Sequence, residues 1–429
     1  VKSVLEKLQV TEVDAIAADL KRIDIDWSAP PKDFANAPKP SDFEVTTKTD
    51  KANDTVTSGD SMSLKVSVKN KGAAPVYQLR AITKSDGAYF DEKELVFGKI
   101  MPGETKSATV PLGFCDIEGH KPGSTEPLPL DAKRVCKIPL DADTRADVIK
   151  VRFVAEGSEP PAEGEVRTTI TAQPQPIFAY TYQIVDNRPG NGDGQIARGE
   201  GATVYMTVKN VGKGKSFETQ ANLRNLTGDG LLLHAGRFDV SNLKPGDSRT
   251  VAFTFDVLDE LQESFVNFEL SVTDRDLRVG SSEKVKLPLT KSPLSLVKAT
   301  GKVALQNVAG VRGQPLSAAP VLAELEKGAV LDKLATFGPY TKVSLGDDRF
   351  GFVETKALKD GAAGPVKVGL KPLLSHSPPL LEVTPAKLSV RDAKVHIEGQ
   401  ANDTDKVLDT FIFVGSRKVF YQSNRKAED

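Results

Sequence analysis

The densest run of oxygen-bearing side chains is Asp186-Asn187-Arg188-Pro189-Gly190-Asn191-Gly192-Asp193-Gly194-Gln195-Ile196, followed by Gly199-Glu200. Carboxylates and amides at alternate positions of a glycine-rich turn can converge on a hard cation such as calcium. The side-chain ligands would be Asp186, Asn191, Asp193 and Glu200, joined by a backbone carbonyl near Gln195. The ion would be structural rather than catalytic. The run is not a full EF-hand loop, because Gln195 is a poorer ligand than aspartate and the distal glutamate is displaced. A second reading uses the same residues: Asn-Gly and Asp-Gly form tight turns ahead of a strand. The stretch Asn53-Asp54-Thr55 before Gly59-Asp60 favours it, since it lacks the Gly-Asn-Gly-Asp-Gly run.

The two cysteines, Cys115 and Cys136, flank an interval rich in proline and glycine. They are either free buried thiols or a disulfide closing that interval. Closure would contribute about 3 kcal/mol by the chain-entropy model. It would also point to an oxidising compartment outside the cytoplasm. His120, His234, His376 and His396 stand too far apart for zinc spacing. No strand-turn-helix nucleophile elbow occurs, so no catalytic site is expected within this chain.

These residues need elements to hold them, and the sequence repeats one. Gly59-Asp60-Ser-Met-Ser-Leu-Lys-Val-Ser-Val-Lys-Asn70 matches Gly199-Glu200-Gly-Ala-Thr-Val-Tyr-Met-Thr-Val-Lys-Asn210, and each is completed by a glycine two residues on. A second turn also recurs, Met101-Pro102-Gly103-Glu104 against Lys244-Pro245-Gly246-Asp247. Strict alternation puts Leu64, Val66 and Val68 on one strand face, as it does Ile149, Val151 and Phe153 further on. Val266, Phe268, Leu270 and Val272 alternate in the same way. Such spacing predicts a duplicated β-sandwich module.

The expected architecture is mostly β: tandem immunoglobulin-like sandwiches, a small SH3-like barrel and a C-terminal β-domain, with an N-terminal helix. Residues 1–28 read as the helix closing a preceding domain, and 29–41 as a proline-rich linker. Sandwiches follow at 42–172 and 173–290, with Phe114–Leu140 of the first read as an inserted loop rather than sheet. The barrel spans 298–360, a second linker 361–385, and the last β-domain 386–429. Asp409–Gly415 and Arg417–Tyr421 carry a hairpin pattern within it.

Composition narrows the classes of function. A chain of 429 residues fits roughly three or four domains. Its formal charge of −1 is not the basic footprint of a nucleic-acid binder. No apolar run approaches the roughly 18 residues of a membrane-spanning helix.

Two resemblances add to this. The third unit resembles a bacterial SH3-type barrel through Asn307-x-x-x-x-Arg312, Leu325-x-Lys327-Gly328, Tyr340-x-Lys342-Val343 and Gly351-Phe352-Val353. It departs from that pattern where Ala309-Gly310-Val311 lengthens the opening and Phe352 replaces a tryptophan. Phe337, Tyr340 and Phe352 would either line a groove or fill the barrel core.

The segments NGDGQIARGEGATVYMTVKNVGKG and VLDTFIFVGSRKVFYQSN resemble the region after the catalytic domain in carboxyl-terminal-processing serine peptidases of myxobacteria and related predatory or gliding bacteria, and the opening VKSVLEKLQVTEVDAIAADLKRIDIDWS resembles the tail of their protease portion. That resemblance extends to modules of the CARDB and immunoglobulin-like kinds. Those enzymes use a PDZ domain and a Ser-Lys pair, and this chain lacks the Ser-x-x-x-Lys context with its surrounding fold. The resemblance implies a periplasmic or cell-surface location and an accessory role. Partners would be envelope proteins or extended peptides, including a protease domain of the same protein. Two alternatives stand beside it: an adhesin or peptidoglycan-binding module, and a self-contained hydrolase.

Overall fold

The computed structural model describes residues 11, 14–32, 34, 36–117, 134–383, 393–403 and 407–424. It is mostly β, and its described residues divide into two compact units. One unit ends at Gln173 and includes 393–395; the other begins at Pro174. Of the expected N-terminal helix, residues 14–21 are helical. Residues 1–10, 12–13 and His120 lie outside the described residues. No helix among the described residues is long and apolar enough to cross a membrane.

The first unit is a β-sandwich. Its strands are β1 (Phe43–Thr49), β2 (Thr55–Thr57), β3 (Met62–Asn70), β4 (Val76–Lys84), β5 (Glu94–Ile100) and β6 (Thr105–Leu112). A hairpin of β7 (Phe114–Ile117) and β8 (Arg134–Lys137) follows, then β9 (Arg145–Glu156) and β10 (Gly164–Thr171). One sheet runs β1-β3-β6 and the other β2-β10-β9-β4-β5. The alternation does what its period requires. Leu64, Val66 and Val68 from one sheet share a closed core with Ile149, Val151 and Phe153 from the other.

The second unit opens with the repeat of that sandwich. Its strands are β11 (Phe178–Val185), β12 (Gly201–Asn210), β13 (Thr219–Asn225), β14 (Leu231–Ala235), β15 (Arg237–Asp239), β16 (Ser248–Val257), β17 (Phe265–Asp274) and β18 (Val279–Pro288). They form sheets β11-β12-β16-β14 and β15-β13-β17-β18. The register is conserved between the copies: Phe43 faces Asn70 as Phe178 faces Asn210.

The two asparagines explain why the Val-Lys-Asn-x-Gly turn recurs. Asn70 is fully buried; its amide donates to the carbonyls of Ala74 and Ile100, and its oxygen accepts from Gly72 N–H. Asn210 does the same with Gly214, Leu243 and Gly212, and also accepts from Ile177 N–H. Each asparagine carbonyl then receives the glycine N–H of the second repeated turn, Gly103 or Gly246. The two recurring motifs are therefore two sides of one hydrogen-bonded corner.

One difference between the copies bears on the cysteines. In the second, β16 runs unbroken to Val257, whose amide and carbonyl bond Glu200 and Gly199. In the first, the equivalent bonds to Asp60 and Gly59 come from Ile138, so Phe114–Lys137 is an insertion after Leu112. Its base is paired strand rather than the expected loop. Cys115 lies directly opposite Cys136, and the two are disulfide-bonded. Gly113 lets the strands part there: its φ is +102°, and a Cβ would lie 2.2 Å from the Lys137 carbonyl oxygen.

Reduction is expected to loosen this insertion by about 3 kcal/mol while leaving the sandwich folded, because the bond constrains only the insertion. Hydrogen exchange before and after reductant checks it. Amides of 114–117 and 134–137 should lose protection while those of β3 keep theirs.

The second unit continues with β19 (Val297–Lys298), β20 (Lys302–Leu305), β21 (Ala309–Arg312), β22 (Val321–Leu325), β23 (Val330–Phe337), β24 (Tyr340–Gly346), β25 (Arg349–Glu354), β26 (Leu358–Asp360) and β27 (Leu370–Pro372). These make one curled sheet around Val303, Leu325, Leu331, Val343 and Val353. The segment 361–385, read from its prolines as a linker, supplies β27 to that sheet by pairing with β22. Two hairpins complete the described chain: β28 (Leu380–Val383) with β29 (Gly399–Asn402), and β30 (Asp409–Val414) with β31 (Arg417–Ser423).

Candidate functional site

The glycine-rich run joins β11 to β12, and the fold brings its four expected ligands into one loop. Asp186 follows the last residue of β11 and is fully buried. Its two carboxylate oxygens accept the N–H groups of Asp193 at 2.9 Å and Gly194 at 3.0 Å. Asn191 accepts from Asp193 N–H at 2.7 Å and donates its amide to the Asp193 carboxylate at 3.1 Å. Asp193, also fully buried, accepts from Gln195 N–H and from Leu294 N–H. Glu200 accepts from Ala197 N–H at 2.8 Å and Asn191 N–H at 3.4 Å.

Every carboxylate oxygen in this set is thus directed at backbone N–H groups of the loop or of Leu294. Among the described residues no three His, Cys, Asp or Glu side chains gather as a metal-binding group. In this arrangement the carboxylates serve backbone N–H groups, as the turn reading expects.

A cation is nevertheless present, and it is a side chain. Lys342 of β24 donates its ammonium to the Gly192 carbonyl at 2.6 Å and lies 3.6 Å from the centre of the Phe350 ring. Gly192 has a φ of +72°, and a Cβ there would fall 2.3 Å from Lys342 Nζ. The glycine therefore leaves open the space that the ammonium fills. Burial lowers the Lys342 pKa, opposed by the attraction of Asp186 and Asp193.

Burial also pushes Asp186 up to about 6, with neighbouring Asp193 adding to the rise while the amide hydrogen bonds oppose it. A carboxyl raised from 3.8 to about 6 binds more protons folded than unfolded in that window. It therefore contributes stability at low pH that fades as pH rises through about 4 to 6. Asp186→Asn is expected to abolish that slope, worth about 1–3 kcal/mol. Urea midpoints of both proteins at pH 4 and pH 7 check it, and parallel pH profiles would refute it.

The lysine belongs to a wider joint between the second sandwich and the curled sheet. Gln183 donates its amide to the Phe350 carbonyl, and the Tyr205 hydroxyl donates to Asp347 O at 2.8 Å. Asn187 reaches Asp348 O at 3.3 Å. Val185, Tyr340, Phe350 and Phe352 form the apolar centre, flanked by Tyr205 and Leu296. Of the aromatics weighed for a groove, Tyr340 and Phe352 are buried here, and Phe337 is half-buried.

The three described histidines each meet one carboxylate. His234 meets Asp256 at 2.8 Å, His396 meets Glu398 at 3.1 Å and His376 meets Glu283 at 2.9 Å. His376 is the one built into the structure. It exchanges two backbone hydrogen bonds with Tyr180 at the edge of β11, and its ring stacks on Tyr180 and Tyr182. Sequence spacing carried no signal for this contact, since His376 lies in a proline-bearing stretch remote from both tyrosines.

No protein-family model matches the chain, and no curated protein sequence matches it. Solved structures give only distant likenesses. Red sea bream transglutaminase is 11% identical, with 58% of this chain and 31% of that one covered, at a TM-score of 0.20. The YadV chaperone is 11% identical, with 57% of this chain and 100% of that one covered, at a TM-score of 0.16. The alpha-2-macroglobulin of E. coli is 9% identical, with 67% and 21% covered, at a TM-score of 0.20. The chain thus spans about a third of the transglutaminase and about a fifth of the macroglobulin.

Proposed function

We propose that this chain is a non-catalytic scaffold region of a bacterial envelope protease, holding the enzyme or its partner proteins in place. One observation carries the reading: the site richest in functional groups is spent on joining modules. Asp186, Asp193, Gly192 and Lys342 lock the second sandwich to the curled sheet, as a rigid spacer requires. The Cys115–Cys136 bond supports an oxidising location such as the periplasm or cell surface. The CARDB-like and SH3-like character of the modules belongs to the same proposal, as does the relation to Ser-Lys peptidases. Burial of Tyr340 and Phe352 in the joint argues against a peptidoglycan groove at those residues.

The test is association of the full chain with the protease domain its parent gene is expected to encode ahead of Val1, measured by interferometry. Saturable binding supports the scaffold. A parent gene without that domain overturns the protease link. Peptide cleavage by the chain itself, abolished by a single Ser→Ala change, overturns the non-catalytic reading altogether.

A further inference from the structure

The duplication allows one face to be read from the other. In the second sandwich, outward residues of β11 and β12 meet the curled sheet. Gln183 and Tyr205 sit directly opposite each other, and their side chains are the donors that hold Phe350 O and Asp347 O. Two residues along, Thr207 and Thr250 pair through their hydroxyls at 2.9 Å.

The first sandwich carries the same frame on β1, β3 and β6. Ser67 and Ser107 take the positions of Thr207 and Thr250 and pair at 2.7 Å. The positions of Gln183 and Tyr205 are held by Lys48 and Lys65, again directly opposite each other and both exposed. Lys69, also exposed, lies on the same face, where the one acid on β1, Glu44, sits 3.9 Å from Lys71. Two like charges placed opposite one another on a sheet destabilise it in isolation. An incoming carboxylate would relieve that repulsion.

We propose that the outer face of β1-β3-β6 is a protein-docking face, on which Lys48 and Lys65 receive carboxylates and loop carbonyls of an acidic partner domain. The equivalent face in this chain already takes a protein module through donors at those two positions, which argues for a protein occupant. The exchange of neutral donors for lysines sets the charge of that occupant. The proposal rests on the scaffold reading and names the surface that would do the holding.

The test is carbodiimide coupling of the full chain with envelope proteins of its source cells, a reaction that joins an amine to a carboxylate in contact. Fragment masses should place the bond between Lys48 or Lys65 and an aspartate or glutamate of one recurring protein. That protein, purified, should bind Lys48→Glu/Lys65→Glu at least tenfold more weakly, and Lys327→Glu without change. Lys48→Gln/Lys65→Tyr, which installs the residues of the other sandwich, should weaken it too while keeping the wild-type circular dichroism. Adducts confined to other lysines would overturn the docking face and leave the scaffold reading intact. Binding to anionic vesicles or an acidic polysaccharide that the double variants lose, without a protein adduct, would also overturn it.

Discussion

Replacing Lys342 by methionine is expected to lower the melting midpoint of the second unit by about 5 °C. The side chain is half-buried and donates one charge-assisted bond to the Gly192 carbonyl. Such a bond contributes about 1.5–3 kcal/mol. Its contact with the Phe350 ring adds about 1 kcal/mol. Against this stands the desolvation of the ammonium, which methionine does not incur. A net loss of about 2 kcal/mol follows, and for a unit of this size that corresponds to roughly 4–8 °C. The ammonium would also no longer sit beside the Asp186 and Asp193 carboxylates that hold its charge.

Two controls separate this from generic loss of packing. Lys342→Arg keeps the charge but is too bulky for the space above Gly192, so it should not restore the wild-type midpoint. Millimolar calcium should leave the wild-type midpoint unchanged, since the loop oxygens already serve its amides. Differential scanning fluorimetry reads both. A Lys342→Met midpoint within a degree of wild type, or a wild-type midpoint raised by calcium, would refute the account of the joint.

How far the sequence leads depends on whether a partner is local. The core faces of β3, β9 and β17 were legible because a strand with one buried side must alternate. The duplication was legible because a turn held by a buried asparagine tolerates few substitutes at Asn70 or Asn210. Lys342 was not legible in that way. It meets Gly192 across 150 residues, and nothing near either residue announces the other. The same letters, Gly-Asn-Gly-Asp-Gly, serve a metal or a turn depending on where the oxygens point, and only the fold decides. The β7–β8 pairing was hidden by the prolines and glycines between the cysteines. His376 was hidden because one residue stacked on two tyrosines leaves no periodic trace.

The largest single loss is expected at Asn210. Its amide group makes four hydrogen bonds: two donated, to Gly214 and Leu243 carbonyls, and two accepted, from Gly212 and Ile177 N–H groups. That is the full capacity of an asparagine side chain. Asn210→Ala would leave three backbone groups, Gly214 O and the N–H groups of Gly212 and Ile177, facing a void, while the Leu243 carbonyl keeps its bond from Ser216 N–H. Each such group costs about 1–3 kcal/mol when it stays dry. Water entering through the adjacent turn would recover part of this, so a loss of about 3–4 kcal/mol is the expected value. Asn210→Asp is the sharper variant because it keeps the shape and the two accepted bonds. It turns both donors into acceptors facing carbonyls, so it should be at least as damaging near neutral pH and partly recover in acid, where the protonated carboxyl can donate once. Asn70, with three bonds instead of four, should lose less on the same alanine change. Urea unfolding of the three variants reads the order, and an Asn210→Ala loss below about 1 kcal/mol would mean that the corner is held by its backbone turns alone.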